Sequence, residues 1–126
     1  MITAVHTLVY AEDPEAARAF FRDVLALPAV DAGGGWLIFK TGPSELAAHP
    51  SSWEYEGQRG GTEQRFDLSL MCDDLSATMT ELAGRGALFE GSVVEQQWGH
   101  TVQLRIPGAG TMTLYQPTYD PPALLA

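Results

Sequence analysis

The sequence has little basic charge and no long apolar run. Both features limit the classes of partner that the protein can bind. Lys and Arg number 7 against 16 Asp and Glu, so the formal net charge is -9. A phosphate backbone needs basic side chains to replace its counterions, so we expect no nucleic-acid partner. No run approaches the roughly 20 apolar residues that span a bilayer, and the charge repels anionic membrane surfaces. We therefore expect no membrane partner either.

The sequence also has a single cysteine and none of the common nucleotide-binding or hydrolase motifs. Cys72 stands alone, which excludes an intrachain disulfide and favours a reducing compartment. The N-terminal residues lack the basic stretch that begins a signal peptide. There is no P-loop, no GxGxxG and no Ser-centred nucleophile elbow. The sequence therefore predicts a cytoplasmic protein outside those classes.

What is present is globular composition arranged as an internal repeat. Apolar residues make up 45% of the 126 positions, which suits one domain. The segments Val5–Asp13 and Phe66–Asp74, aligned by placing position 5 on 66, are both apolar runs ending in two acids. Each is followed by apolar residues at helical spacing. Because Asp13 and Asp74 stand where helices begin, we interpret the paired acids as helix caps rather than as catalytic carboxylates.

Predicted strands follow each predicted helix, so the β-α-β-β pattern occurs twice. They are Trp36–Lys40 and Glu45–Pro50 in the first half, and Thr101–Ile106 and Thr111–Pro117 in the second. The polar, glycine-rich stretch between the halves predicts a linker. The sequence thus predicts a single α+β domain with module one at 2–58, a linker at 51–63, module two at 64–118 and a tail at 119–126.

The chain resembles the vicinal oxygen chelate superfamily, the family of glyoxalase I, bleomycin-resistance proteins, extradiol dioxygenases and fosfomycin-resistance enzymes. The resemblance lies in the paired starts VHTLVYAEDPEAARAFF and FDLSLMCDDLSATMTEL, in AFFRDVLALP and in the end WGHTVQLRIPGAGTMTLYQP. It implies two βαβββ modules that form one cupped, mixed sheet around a ligand, and it implies a homodimer. One fold hosts many chemistries, so the resemblance alone does not fix the function.

The resemblance also implies where a metal would bind. Metal-dependent members carry four ligands, and the corresponding positions in this chain are His6, Leu46, Asp67 and Thr113. Only His6 and Asp67 are competent ligands, because leucine and threonine do not serve Zn, Fe or Ni. A shift of one residue brings in Glu45 but selects Met112 in the second module. We therefore expect no bound metal and no other cofactor, with His6 and Asp67 the only candidates if a metal binds.

Aromatic residues fall where the resemblance places the ligand pocket. Trp53, Tyr55 and Trp98 lie in polar or glycine-rich segments, where a large apolar side chain needs a partner. Aromatic rings suit flat ligands and also stack on cations. The predicted ligand-binding residues are His6, Trp36, Trp53, Tyr55, Asp67, Trp98, His100, Thr113 and Tyr115.

Three functions stay open at this point. The preferred one is a binding protein that sequesters a bulky aromatic natural product or antibiotic without chemistry, as resistance proteins of the family do. The acidic charge favours a cationic ligand. The alternative is a metal-dependent enzyme, such as a glyoxalase-like lyase or isomerase or an extradiol dioxygenase. The third is a metal-free enzyme that uses His6, Asp67 or His100 as acid and base.

Overall fold

The computed structural model describes residues 7, 9, 11–42, 44, 52–64 and 66–119. Two helices and eight strands lie in that part of the chain. In order they are α1 (Pro14–Asp23), β1 (Ala29–Asp31), β2 (Leu37–Phe39), β3 (Ser52–Tyr55), β4 (Gln58–Gly61), β5 (Ser69–Met71), α2 (Leu75–Gly84), β6 (Phe89–Gln96), β7 (Gly99–Ile106) and β8 (Gly110–Pro117).

The two helices begin at equivalent points of the repeat, and aspartates cap both. The backbone N–H of Ala16 donates to Oδ1 of Asp13 at 3.1 Å, and that of Ala77 donates to Oδ1 of Asp74 at 2.9 Å. Each cap satisfies an N–H that has no partner inside its helix. The capping prediction is therefore confirmed. Neither of the helices described is long and apolar enough to cross a membrane.

The second module forms a four-stranded sheet in the order β5-β8-β7-β6. Strand β5 runs parallel to β8, and the other neighbours are antiparallel. The parallel pair requires a crossover, and α2 supplies it between β5 and β6. The predicted α+β class, with a mixed sheet and a βαβββ order in this module, is confirmed.

The first module is described in part. Strands β1 and β2 form an antiparallel hairpin, and the rings of Phe21 on α1 and Phe39 on β2 lie 5.5 Å apart, edge to face. The predicted strand Glu45–Pro50 and the first strand with His6 lie outside the described residues. The module boundaries therefore stay predictions.

The stretch predicted as a linker contains a second hairpin, β3–β4. Its turn holds Glu56 and Gly57, with φ values of 49° and 78°. Positive φ at both central residues is the geometry that matches the twist of paired strands. Strand β3 alternates polar and aromatic residues, from Ser52 to Tyr55, and Gly57 marks the turn, so the sequence held a signal for this hairpin that the linker prediction missed.

Both modules contribute to one hydrophobic core. Leu104 of β7 is fully buried, and α1 and α2 both pack into the cluster around it. The core comprises Ala17, Phe20, Leu75, Leu82, Ala87, Val102, Leu104, Ile106, Met112 and Leu114. Since apolar burial is the main favourable term in folding, the modules are expected to unfold together.

The entry to α1 is fixed against the turn between β7 and β8. The N–H of Glu12 donates to the carbonyl oxygen of Gly108 at 2.8 Å. A Cβ atom at Gly108 would lie 2.7 Å from Cβ of Asp13, and φ at this glycine is +73°. The close approach and the left-handed backbone both require glycine here.

We predict that Gly108→Ala destabilises the protein more than Gly110→Ala. Gly110 has a similar φ of +78° but open space around its Cβ position, so it reports the backbone strain alone. That strain costs about 1–2 kcal/mol, and the overlap with Asp13 adds about 1–3 kcal/mol. Urea unfolding measures both changes in the free energy of unfolding. Equal losses in the two variants would contradict the close approach.

Candidate functional site

The two faces of the second-module sheet differ in chemistry. Side chains alternate along a strand, and paired residues point to the same side. Residues such as Leu104 and Leu114 face the core. The opposite side, which we call the polar face, carries Ser69, Met71, Glu90, Val94, Thr101, Gln103, Arg105, Thr111, Thr113 and Tyr115.

Three aromatic side chains meet at one end of the polar face, and we call them the aromatic corner: Trp98, Tyr115 and Tyr119. The rings of Trp98 and Tyr115 are 5.2 Å apart and 75° from parallel, an edge-to-face contact. The hydroxyls of Tyr115 and Tyr119 lie 2.8 Å apart, within hydrogen-bond distance. Tyr115 is 8% exposed and Trp98 is 44% exposed. The corner therefore rests on a buried tyrosine and leaves indole surface free.

Backbone contacts hold Trp98 in this position. The N–H of Thr118 donates to the carbonyl oxygen of Trp98 at 3.0 Å, and the Thr118 hydroxyl donates to that of Gln97 at 2.9 Å. At the next residue, a Cβ on Gly99 would lie 2.7 Å from the carbonyl oxygen of Gln116. The turn before β7 is thus fixed to the end of β8, which limits the positions that the indole can reach.

A hydrogen-bonded pair occupies the centre of the polar face. Nε2 of Gln103 donates to Oγ1 of Thr113 at 3.0 Å, and the two residues are register partners on β7 and β8. Both side chains are half-buried. On the same face, Nε of Arg105 donates to Oε1 of Glu90 at 2.9 Å. The centre is uncharged, and the two charges beside it are paired with each other.

Gln103 is the one residue of this pair that the sequence analysis did not predict. The signal was available, because Gln103 alternates with the apolar Val102 and Leu104. Counting outward from the turn after β7 places it opposite Thr113.

Solved structures share the fold of this chain. A lactoylglutathione lyase from Agrobacterium tumefaciens is 22% identical with a TM-score of 0.58, over 92% of this chain and 95% of that one. TnmS3, an antibiotic binding protein from Streptomyces sp. CB03234, is 19% identical with a TM-score of 0.58. The match covers 93% of this chain and 98% of TnmS3. The chain has the vicinal oxygen chelate fold. A glyoxalase/bleomycin resistance protein/dioxygenase from Nocardioides matches at 14% identity and a TM-score of 0.57, over 99% of this chain and 93% of that one.

At these identities the likeness concerns the fold alone. No protein-family model and no curated protein matches the sequence. The chemistry of the site therefore has to be argued from its own residues.

The two second-module positions of the family's metal site offer at most one competent ligand, the Asp67 carboxylate. Oγ1 of Thr113 accepts a hydrogen bond from the Gln103 amide. Asp67 is exposed, and its Oδ1 accepts a hydrogen bond from the N–H of Leu68 at 2.9 Å. Among the residues that the structure describes, no three His, Cys, Asp or Glu side chains are grouped to hold a metal ion. His6 and Leu46 lie outside those residues, so their predicted roles stay predictions.

His100 lies on the other side of the sheet from Thr113 and Tyr115. On β7 it alternates with Thr101 and Gln103, the register partners of Tyr115 and Thr113. It borders a groove of about 410 Å³ beneath α2, together with Leu75 and Met79. Its Nδ1 is 3.8 Å from Oε1 of Glu95. The structure thus separates His100 from the other predicted ligand contacts of this module. The sequence predicted this strand only from Thr101, whereas β7 begins at Gly99, so strand alternation had not been applied to His100.

The first-module aromatics lie elsewhere. Trp36 is 68% exposed, and the Arg18 guanidinium carbon sits 4.8 Å from the centre of its ring. Tyr55 is exposed on β3, and Trp53 belongs to the same strand. The structure does not bring Trp36 or Tyr55 into contact with the aromatic corner, and the ligand-binding roles of all three stay predictions.

Cys72, the single cysteine of the chain, directly follows β5. Its thiol is half-buried and lies 3.4 Å from the carbonyl oxygen of Tyr115. Burial raises the pKa of the thiol above its usual value. The thiolate is the reactive form, so the environment disfavours a catalytic cysteine.

We predict that Cys72 reacts more slowly with a disulfide reagent at pH 8 in the folded protein than in urea. A raised pKa lowers the thiolate fraction at that pH, and the difference should shrink as the pH rises towards the folded pKa. Absorbance at a series of pH values measures the rates. A folded protein that reacts as fast as the unfolded chain at pH 8 would contradict this.

Proposed function

We propose that this protein binds a planar aromatic small molecule, such as a bulky aromatic natural product or antibiotic, on the polar face and releases it unchanged. The observation that carries the proposal is the aromatic corner beside the uncharged Gln103–Thr113 pair. Tyr115 and Thr113 are two residues apart on β8, so their side chains are about 7 Å apart along the strand. A ring against Trp98 can therefore reach the pair.

The charged groups favour binding over catalysis. On the strands of the polar face they are Glu90 and Arg105, which pair with each other at 2.9 Å. The Asp67 carboxylate lies outside those strands, two residues before Ser69, and is exposed to solvent. Acid and base catalysis needs groups free to exchange protons near the reacting atoms. His100, the third candidate acid or base, faces α2 instead.

The comparisons are compatible with either class of function. TnmS3 is named an antibiotic binding protein, and the Agrobacterium protein is named a lyase. The residues of this chain favour the first, because Thr113 and Leu46 stand where metal-dependent members carry ligands. By analogy we propose a resistance-type role in the cytoplasm. The net charge of -9 would speed encounter with a cationic ligand.

We predict that Trp98→Ala weakens ligand binding by about 1–3 kcal/mol, the range for a well-packed aromatic contact. Calorimetric titration with proflavine, a planar cation, and with 2-naphthol, a neutral ring, measures the change. Val93→Ala is the control, because Val93 is also exposed but borders the groove under α2. Equal affinities of Trp98→Ala and the unchanged protein would contradict the site.

Recovery of the ligand separates binding from catalysis. The protein is incubated with the tighter ligand, with and without added divalent metal, and the ligand is analysed by mass spectrometry. We expect the unaltered compound in both cases. A chemically altered product whose formation stops in His6→Ala would overturn the proposal and favour a metal-dependent enzyme.

We also propose that the protein is a homodimer. Val30 and Ile38 are cross-strand partners on the first hairpin, and they are 67% and 43% exposed. Among the strands that the structure describes, β5 and β6 are the outer strands of their sheet. Exposed apolar surface and free sheet edges are both commonly covered by association.

Light scattering should give twice the mass of one chain at micromolar concentration. Val30→Glu combined with Ile38→Glu should shift it towards the monomer, because two carboxylates resist burial. Helical content measured by circular dichroism controls for folding. A monomer in the unchanged protein would contradict the proposal.

A further inference from the structure

We propose that the Gln103–Thr113 pair determines ligand specificity by hydrogen bonding an uncharged hydroxyl or carbonyl group on the aromatic ring. The inference rests on the proposed function, because it assumes that a ring binds at the aromatic corner. The inference adds the chemical class of the ring substituent and the two side chains that bind this substituent.

The pair has hydrogen-bonding capacity left over. An amide offers two donors and an acceptor oxygen, and a threonine hydroxyl offers one donor and two lone pairs. The bond between Gln103 and Thr113 uses one donor and one acceptor position. No buried side-chain nitrogen or oxygen among the described residues is left without a partner. The amide oxygen of Gln103 makes no hydrogen bond within the described residues, so it is accessible to water or to a ligand. Gln103 and Thr113 are only half-buried, so the pair also has surface that a ligand can contact.

The surroundings favour an uncharged group at this point. Neither member of the pair carries a charge, and Arg105 and Glu90 on the same face are already paired. An ionised substituent over the pair would lose hydration without gaining a counter-charge, which is costly. A hydroxyl or carbonyl group exchanges its bonds to water for bonds to the amide and the hydroxyl.

The geometry sets the position of that group relative to the ring. Gln103 and Thr113 lie two residues from Thr101 and Tyr115, respectively, along their strands. This displacement is about 7 Å. A two-ring aromatic system that contacts Trp98 at one end places a substituent at its other end over the pair.

Four naphthalenes that differ in one substituent test the inference: naphthalene, 2-naphthol, 2-acetylnaphthalene and the 2-naphthyltrimethylammonium ion. Titrations followed by NMR give their dissociation constants. We expect the unchanged protein to bind the hydroxyl and acetyl compounds about three- to tenfold more tightly than naphthalene, the worth of one hydrogen bond. The ammonium ion should show no gain from the pair.

Gln103→Leu and Thr113→Val should remove this preference, taken as the ratio of the naphthalene dissociation constant to that of each substituted compound in the same variant. Thr111→Val is the matched control, because Thr111 lies on the same strand and face but is exposed and opposite Arg105. It should keep the full preference. If a single variant unfolds, the double variant carries the test, because removing both partners leaves no orphaned polar group.

The outcomes separate the two proposals. If the unchanged protein binds none of the four compounds, the proposed function fails. If all four bind and Trp98→Ala weakens them, but the preference survives in Gln103→Leu and Thr113→Val, the function stands and the specificity inference is overturned. Loss of the preference in those variants, with its retention in Thr111→Val, supports the inference.

Discussion

The antiparallel pairing of β7 with β8 is the constraint on which the core and the candidate site both depend. The register runs from Gly99 opposite Pro117 to Ile106 opposite Gly110 without interruption. Because side chains alternate along a strand, this register sends Leu104 into the core and Gln103 to the polar face. A slip of one residue would exchange the two faces. The burial of Leu104 therefore also fixes the position of the Gln103–Thr113 pair.

The two ends of the β7–β8 pair contact different parts of the protein. At one end, the turn between β7 and β8 holds the entry to α1 through Gly108, which ties the first module to the second. At the other end, Thr118 holds the turn that carries Trp98. A side chain that is fixed before the ligand arrives loses less entropy on binding. On the proposed function, the fixed backbone around the aromatic corner lowers the entropy cost of binding.

The vicinal oxygen chelate fold is found in proteins named as enzymes and in proteins named as binders, so the fold leaves the chemistry to individual residues. In this chain the decisive position is Thr113. The family resemblance places a metal ligand there, which a carboxylate could supply, whereas a hydroxyl paired with an amide offers neutral donors and acceptors. If the proposed function is correct, a fold that can hold a metal ion for Lewis-acid chemistry here binds a ligand through uncharged side chains.

The sequence by itself determined the features that depend on neighbouring residues. Asp13 and Asp74 cap their helices through bonds to residues three positions on, and the repeat was visible as matching local patterns. Only the tertiary structure decided which side chains meet. Trp98 and Tyr115 come together because β8 returns beside the turn that precedes β7, and His100 is separated from Thr113 by strand alternation. These contacts depend on strand register. The register is set by burial of the core residues across the whole sheet, so no local segment of the sequence determines it.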